Sequence, residues 1–179
     1  DNGKFFNQMI SVELDGEVTD YKVLEKKLYI DNDDFFIAYT FEFWINGESK
    51  KDPYFTISAE ADKYELIAGE NFSVSFTSNQ NCYMYMYNFL PYENKVVSLL
   101  NEEVKKNELW KKSFGTEFGE ECSNGIQSFE HIIFLAIKKE KNILFGKEYV
   151  TYEEFQKQLK KLPRKDYESE MVSYIINRN

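Results

Sequence analysis

His131 is the only histidine in a chain of 179 residues, so an imidazole general base has to be this residue. Nucleophilic hydrolysis needs a nucleophile, a base and a group that orients the base. The thiols available are Cys82 and Cys122, and no Gly-x-Ser-x-Gly elbow is there to expose a serine. A pair drawn from His131 and one of these cysteines is the hydrolase alternative. The preferred reading is structural: His131 directly precedes the apolar run Ile132-Ile133-Phe134-Leu135-Ala136-Ile137 and reads as a strand-edge residue with its ring partly in water. No catalytic residue is assigned, and the chain is read as a non-enzyme.

The remaining polar chemistry is equally sparse. With 31 acidic residues, pairs of carboxylates arise by chance and none is informative. Asp31, Asp33 and Asp34 lack the glycine and downstream glutamate of a calcium loop and read as a solvated turn, with a surface cation site as the alternative. One histidine and two cysteines without a C-x-x-C pair make no zinc set. Phosphate-cradling glycine loops are missing as well, so neither metal nor cofactor is expected. Asn71-Phe72-Ser73 fits a glycosylation sequon but falls inside a strand pattern. Cys82 and Cys122 could form one disulfide, which would favour an oxidising compartment. Their settings differ, an apolar strand against a polar stretch, and two separate thiols are the plainer reading.

Recognition by aromatic rings is the chemistry the composition does offer. Tyr83, Tyr85 and Tyr87 repeat one amphipathic ring on a single strand face. Exposed, they are binding candidates for a sugar or peptide. Buried, they are an ordinary cross-strand ladder, which favours aromatics anyway.

The elements that would position these residues follow from patterning. Aromatics number 31, at 17% of the chain, and charged residues make up 30% with a net charge of −9. A disordered chain is poor in aromatics. A nucleic-acid binder needs a basic excess, and this chain has the opposite. No apolar stretch approaches the ~18 residues of a membrane span. The chain starts Asp1-Asn2-Gly3-Lys4, which suggests a mature protein whose signal peptide has been removed.

Period-2 alternation dominates and predicts strands. Ile37, Tyr39, Phe41, Phe43 and Ile45 share one face; Phe72, Val74 and Phe76 share another. Residues 82–87 are bulky on both faces, so that strand is central or covered on both sides. Further strands are predicted at 8–14, 21–30, 54–59, 95–100, 129–137 and 171–176. Asp15-Gly16, Asn46-Gly47 and Asn124-Gly125 supply turn chemistry. One helix is predicted from Thr151 to Leu162, opened by the capping box Thr151-Tyr152-Glu153-Glu154 and stopped by Pro163. Its stripe Tyr152, Phe155, Leu159 and Leu162 should pack on a sheet. A short helical turn is predicted over 102–109. The fold class is therefore mainly β: an antiparallel β-sandwich with one C-terminal helix.

Three stretches resemble an uncharacterised bacterial family known by the domain-of-unknown-function number four-three-eight-four. Tyr64-Glu65-Leu66-Ile67-Ala68-Gly69-Glu70 with Phe72, Val74 and Phe76 resembles its tyrosine, glycine–acid and strand. Cys82-Tyr83-Met84-Tyr85-Met86-Tyr87-Asn88 is similar to its aromatic strand. Lys95-Val96-Val97-Ser98-Leu99-Leu100-Asn101 is similar to the strand ending in its Leu-Tyr/Phe-Pro-Asn signature, although here Leu100 meets Asn101 directly and the proline is missing. Ile132 to Lys138 resembles the strand closing its core, and Asp52 to Ala59 resembles envelope proteins carrying the domain. The resemblance covers roughly residues 54 to 145. It implies a β-rich accessory domain of an exported or lipid-anchored bacterial protein, with no catalytic or ligand residues to carry over.

The expectation is a non-catalytic module of the bacterial cell envelope, periplasmic or surface-exposed, whose partner is another protein, a glycan or a peptide. The alternative is a small-ligand binding protein using exposed aromatics; an unrecognised hydrolase is third. Residues 1–53 are expected to form a β segment packed on a main body of residues 54–179, since no Gly/Ser/Pro-rich linker separates them.

Overall fold

A computed structural model of the chain describes residues 17–31, 34–46, 51–116, 127–140 and 149–178. Within 17–46, side chains are described at 22–27 and 38–42. The predicted strand at 8–14, the turns at Asp15-Gly16 and Asn124-Gly125, Gly47 and Cys122 lie outside these residues. The chain divides into two compact units, Asp1–Lys50 and Lys51–Asn179.

The first unit contains a long antiparallel hairpin of β1 (Glu17–Asp31) and β2 (Asp34–Asn46). Its last pair is Asp31 opposite Asp34, so the acidic cluster does fall where the chain reverses. Register shifts between Val18 and Asp20, and between Val23 and Glu25, mark bulges that twist the ribbon. Tyr39 stacks on Phe41 at 5.7 Å between centroids, with the Lys26 ammonium 5.4 Å from the Tyr39 ring.

Among the described residues, the second unit holds two sheets and a helix. β3 (Ile57–Ala61), β5 (Asn71–Ser78) and β8 (Trp110–Gly115) form a three-stranded antiparallel sheet in the order β3-β5-β8. β4 (Glu65–Ile67), β6 (Cys82–Leu90), β7 (Lys95–Val104), β9 (Gln127–Ile137), β10 (Tyr149–Thr151) and β11 (Tyr167–Asn177) form the second sheet. Its order is β10-β7-β6-β9-β11-β4. Its pairs are antiparallel except β4 on β11, which is parallel. β4 enters from the first sheet and meets β11 only at the chain's end, so no hairpin imposes antiparallel pairing there.

The sheets face each other across the main core. Phe72, Val74 and Phe76 point from β5 toward Met84, Met86, Ile132, Phe134, Ala136, Val172, Tyr174 and Ile176. Phe76 stacks on Phe134 at 5.6 Å, and Phe72 meets Tyr174 at 4.9 Å. The β3 edge is covered as well. Its Ala59 amide donates to Glu170 Oε2 at 2.8 Å, so a carboxylate from the other sheet satisfies an edge donor. Partial burial raises the Glu170 pKa.

The opposite face of the larger sheet carries α1 (Tyr152–Leu159). Thr151 caps it with both bonds of the predicted box: Glu154 N donates to Thr151 Oγ1 at 3.2 Å, and Thr151 N to Glu154 Oε2 at 3.3 Å. Tyr152, Phe155 and Leu159 are buried. Phe155 meets Tyr87 edge-on at 5.0 Å, and Tyr152 stacks on Phe89 at 4.4 Å. The regular helix ends at Leu159, a turn before the predicted Leu162. Pro163 disfavours helical geometry in the residue before it, and the chain tightens into Leu162 N donating to Leu159 O.

Two sequence expectations are corrected. The helical turn predicted over 102–109 is instead the end of β7 and a reversal into β8. Val104 is buried opposite Cys82, which holds the chain extended, and Asn107 takes the left-handed conformation (φ 58°) at the turn. His131 is not a strand-edge residue with a wet ring. β9 begins upstream at Gln127 and lies between β6 and β11, so His131 is buried in mid-sheet.

Candidate functional site

β9 opens with polar residues before its apolar run, and the pleat sends them to opposite faces. Glu130 shares the inner face with Ile132 and Phe134 and is only 6% exposed. Tyr174, its register partner on β11, donates its hydroxyl to Glu130 Oε2 at 2.7 Å. Asn88 Nδ2 on β6 donates to the same oxygen at 3.0 Å. Burial, and then the Glu130 charge, push the Tyr174 phenol well above its ordinary range, so it serves as a donor.

Glu130 also lines a cleft at the β6–β7 end of the sandwich, with Leu90, Pro91, Tyr92, Glu93, Ser128 and Phe129. The cleft spans about 200 Å³ including its open mouth, and about 10 Å³ of it is room for a single water-sized group. Tyr92 and Phe129 are exposed at its rim. Glu93 pairs with Lys95 at 2.9 Å, and the Lys95 ammonium sits 5.3 Å from the Tyr149 ring.

On the other face, His131 stacks on Phe89 at 5.6 Å, and its Nδ1 shares a hydrogen bond of 2.7 Å with Ser173 Oγ. The pair resembles a nucleophile with its base. Burial, however, lowers the His131 pKa to about 4, and a general base works best with a pKa near the operating pH. The ring is held neutral and acts chiefly as a packed aromatic.

A third cluster fastens the start of the second unit to β11. Glu168, 3% exposed, takes Lys51 Nζ at 3.0 Å and Arg164 at 3.6 Å. Lys138 joins Asp52, and donates to Lys165 O at 2.7 Å. The ammonium beside Asp52 lowers that carboxyl's pKa. These charges are consumed in structural bonds.

Of the tyrosine face predicted as a binding surface, Tyr87 lies against α1. Tyr83 is half-buried, while Tyr85 and Tyr87 are buried at 7% and 1% exposure. Their alternation with Cys82, Met84 and Met86 is as expected, and both faces of β6 are covered. Phe155 of α1 occupies the space beside Tyr87. Cys82 is a free, buried thiol whose pKa is raised by desolvation. Asn71, of the sequon, opens β5 and is exposed, while Phe72 beside it is core. Among the described residues, no three His, Cys, Asp or Glu side chains group as metal ligands. No helix among them is long and apolar enough to cross a membrane.

The Glu130 cleft was not singled out by sequence reasoning. The signal was there: counting back by two from Phe134 and Ile132 puts Glu130 on the core face, where a carboxylate needs a reason. No protein family and no characterised protein matches the chain.

Proposed function

We propose that this chain is a non-catalytic interaction module of a bacterial cell envelope, one that recognises another protein or a peptide. One observation supports this above others. The groups able to do acid–base chemistry are tied into the fold, Glu168 to Lys51 and Arg164 and His131 to Ser173, while large aromatic side chains stand in solvent. Tyr54 is 80% exposed and Tyr92 60%. Amphipathic rings at the surface suit recognition, since they give large contact area at little entropic cost. The envelope setting rests on the resemblance of residues 54 to 145.

The small-ligand alternative survives in altered form. It moves from the tyrosines of β6 to the Tyr92–Phe129–Glu130 cleft, where a buried carboxylate and exposed rings converge. The test of the main reading has two parts. Fractionation of the producing cells should place the native protein in the envelope fraction. A broad hydrolase panel should show no turnover. Activity that disappears in His131→Ala, or a purely cytosolic native protein, overturns the reading.

A further inference from the structure

We infer that the cleft between the β6–β7 turn and the start of β9 is a receptor for a primary ammonium group, with Glu130 as its anchor. The inference builds on the interaction reading and names the chemistry of what is recognised: a lysine-like amine.

Glu130 is a carboxylate only 6% exposed, and among the described residues no basic side chain pairs with it. Burying a carboxylate without a counter-charge is unfavourable unless something compensates. Two neutral donors, Tyr174 and Asn88, compensate in part, but both converge on Oε2. Oε1 takes no hydrogen bond within the described residues. The carboxylate lines the cleft, so a ligand can reach it.

The other lining residues fit the same cation. The lining set contains two carboxylates, Glu93 and Glu130, and no basic residue. Lys95, standing outside that set, already neutralises Glu93. One negative charge is left over, which matches one monovalent cation. The cleft has room for a water-sized group beneath its open mouth, which a compact ammonium head fills more readily than a planar guanidinium. Tyr92 and Phe129 at the rim can hold the alkyl stem, and a ring face attracts the ammonium itself. The chain's net charge of −9 favours approach of cations generally.

Glu130→Gln is the decisive variant. Its carboxamide oxygen can take the place of Oε2 and keep the bonds from Tyr174 and Asn88. Its NH₂ then stands where Oε1 was, so a donor faces the ligand instead of an acceptor. The full 179-residue chain is titrated with n-butylammonium and with Nα-acetyl-lysine methylamide, following backbone amide NMR signals. Saturable shifts confined to residues 90–93 and 128–130 are expected with both amines. Glu130→Gln, checked for folding by its own spectrum, should weaken binding by about tenfold or more, the usual loss for a charge-assisted hydrogen bond. Tyr92→Ala, at an exposed site, should weaken it by roughly threefold. Methylguanidinium and the Nε-acetylated lysine derivative should bind markedly less.

Tighter binding of the lysine derivative than of butylammonium assigns the site to a polypeptide; equal binding assigns it to free amines. Either result supports an ammonium receptor. The inference is overturned if neither amine gives saturable shifts, if Glu130→Gln binds as well as the parent, or if methylguanidinium binds equally. A purely cytosolic native protein would remove the envelope reading and leave these titrations unaffected.

Discussion

Tyr87→Phe should make this protein more stable. The Tyr87 ring is 1% exposed between the sheet and α1, and its hydroxyl has no hydrogen-bond partner among the described residues. A buried hydroxyl without a partner costs about 1–3 kcal/mol in protein mutational data. The ring itself is kept by phenylalanine, including its edge-on contact with Phe155 at 5.0 Å. The void left by one oxygen is smaller than a methyl group, whose loss costs ~1 kcal/mol. The balance is a gain of about 1 kcal/mol. For a domain of this size that raises the melting midpoint by roughly 3 °C. Urea unfolding should show a higher midpoint with an unchanged slope, since the surface exposed on unfolding is the same. A loss of stability beyond about 0.5 kcal/mol would refute the reasoning, because it would mean the hydroxyl is satisfied in solution, by an ordered water for instance.

The same physics yields further expectations. Burial raises the pKa values of Tyr87, Tyr152 and Tyr174 above their usual 10, so the folded state retains protons that the unfolded chain releases. Stability should hold steady below pH 10 and fall as pH rises beyond it, with a shallower fall in Tyr87→Phe, as read by denaturant midpoints. His131 carries the opposite dependence: its folded pKa of about 4 lies below the usual 6.5, so the unfolded chain binds the extra proton. Stability should be full above pH 6.5 and fall by up to about 3 kcal/mol as pH drops to about 4. His131→Asn should flatten that window, and an unchanged slope would remove His131 as its cause. Thr151→Ala removes the capping box of α1 and should cost about 1 kcal/mol in chemical denaturation. Phe155→Ala should cost about 3–5 kcal/mol, because Phe155 is fully buried against Tyr87 and Tyr152. A loss near zero would mean that α1 does not pack on the sheet.

Strand patterning carried most of the fold wherever a strand's faces differ in polarity or are both apolar. Phe72, Val74 and Phe76 mark β5, and the bulky residues of 82–87 mark β6 as central. The Thr151 box placed α1 to the residue at its start. Strands with weak patterns escaped. β8 carries Lys111, Lys112 and Ser113 on a sheet edge, where charge protects against pairing with other chains and masks the period. β4 and β10 have three residues each, too few for a period. The first residues of β11 include Glu168 and Glu170, which look like loop. Glu168 pairs with Lys51, remote in sequence, as well as with Arg164 four residues before it, and Glu170 takes the remote Ala59 amide. His131 was misjudged for a related reason. Its place at the start of an apolar run says nothing of the strands on either side, and β6 and β11 are what bury it.

The aromatic load follows from the layering of the second unit. A sheet covered on one side needs bulky residues at alternate positions; β6 and β9 are covered on both and need them at consecutive ones. On the inner side Phe134 meets Phe76, and on the outer side Tyr87 meets Phe155 and Phe89 meets Tyr152. Rings in these layers are therefore committed to the core, and candidates for recognition have to be sought where the layers end. The cleft lies at such an end, where the inner face of β9 passes from Ile132 to Glu130 and Ser128. A carboxylate there follows an apolar run, and exchanging it for an uncharged isostere should lower stability if the carboxylate serves the fold through its bonds from Tyr174 and Asn88. If Glu130→Gln is more stable but no longer holds an amine, the charge has been kept for binding at the expense of folding, which is the pattern expected of a functional site.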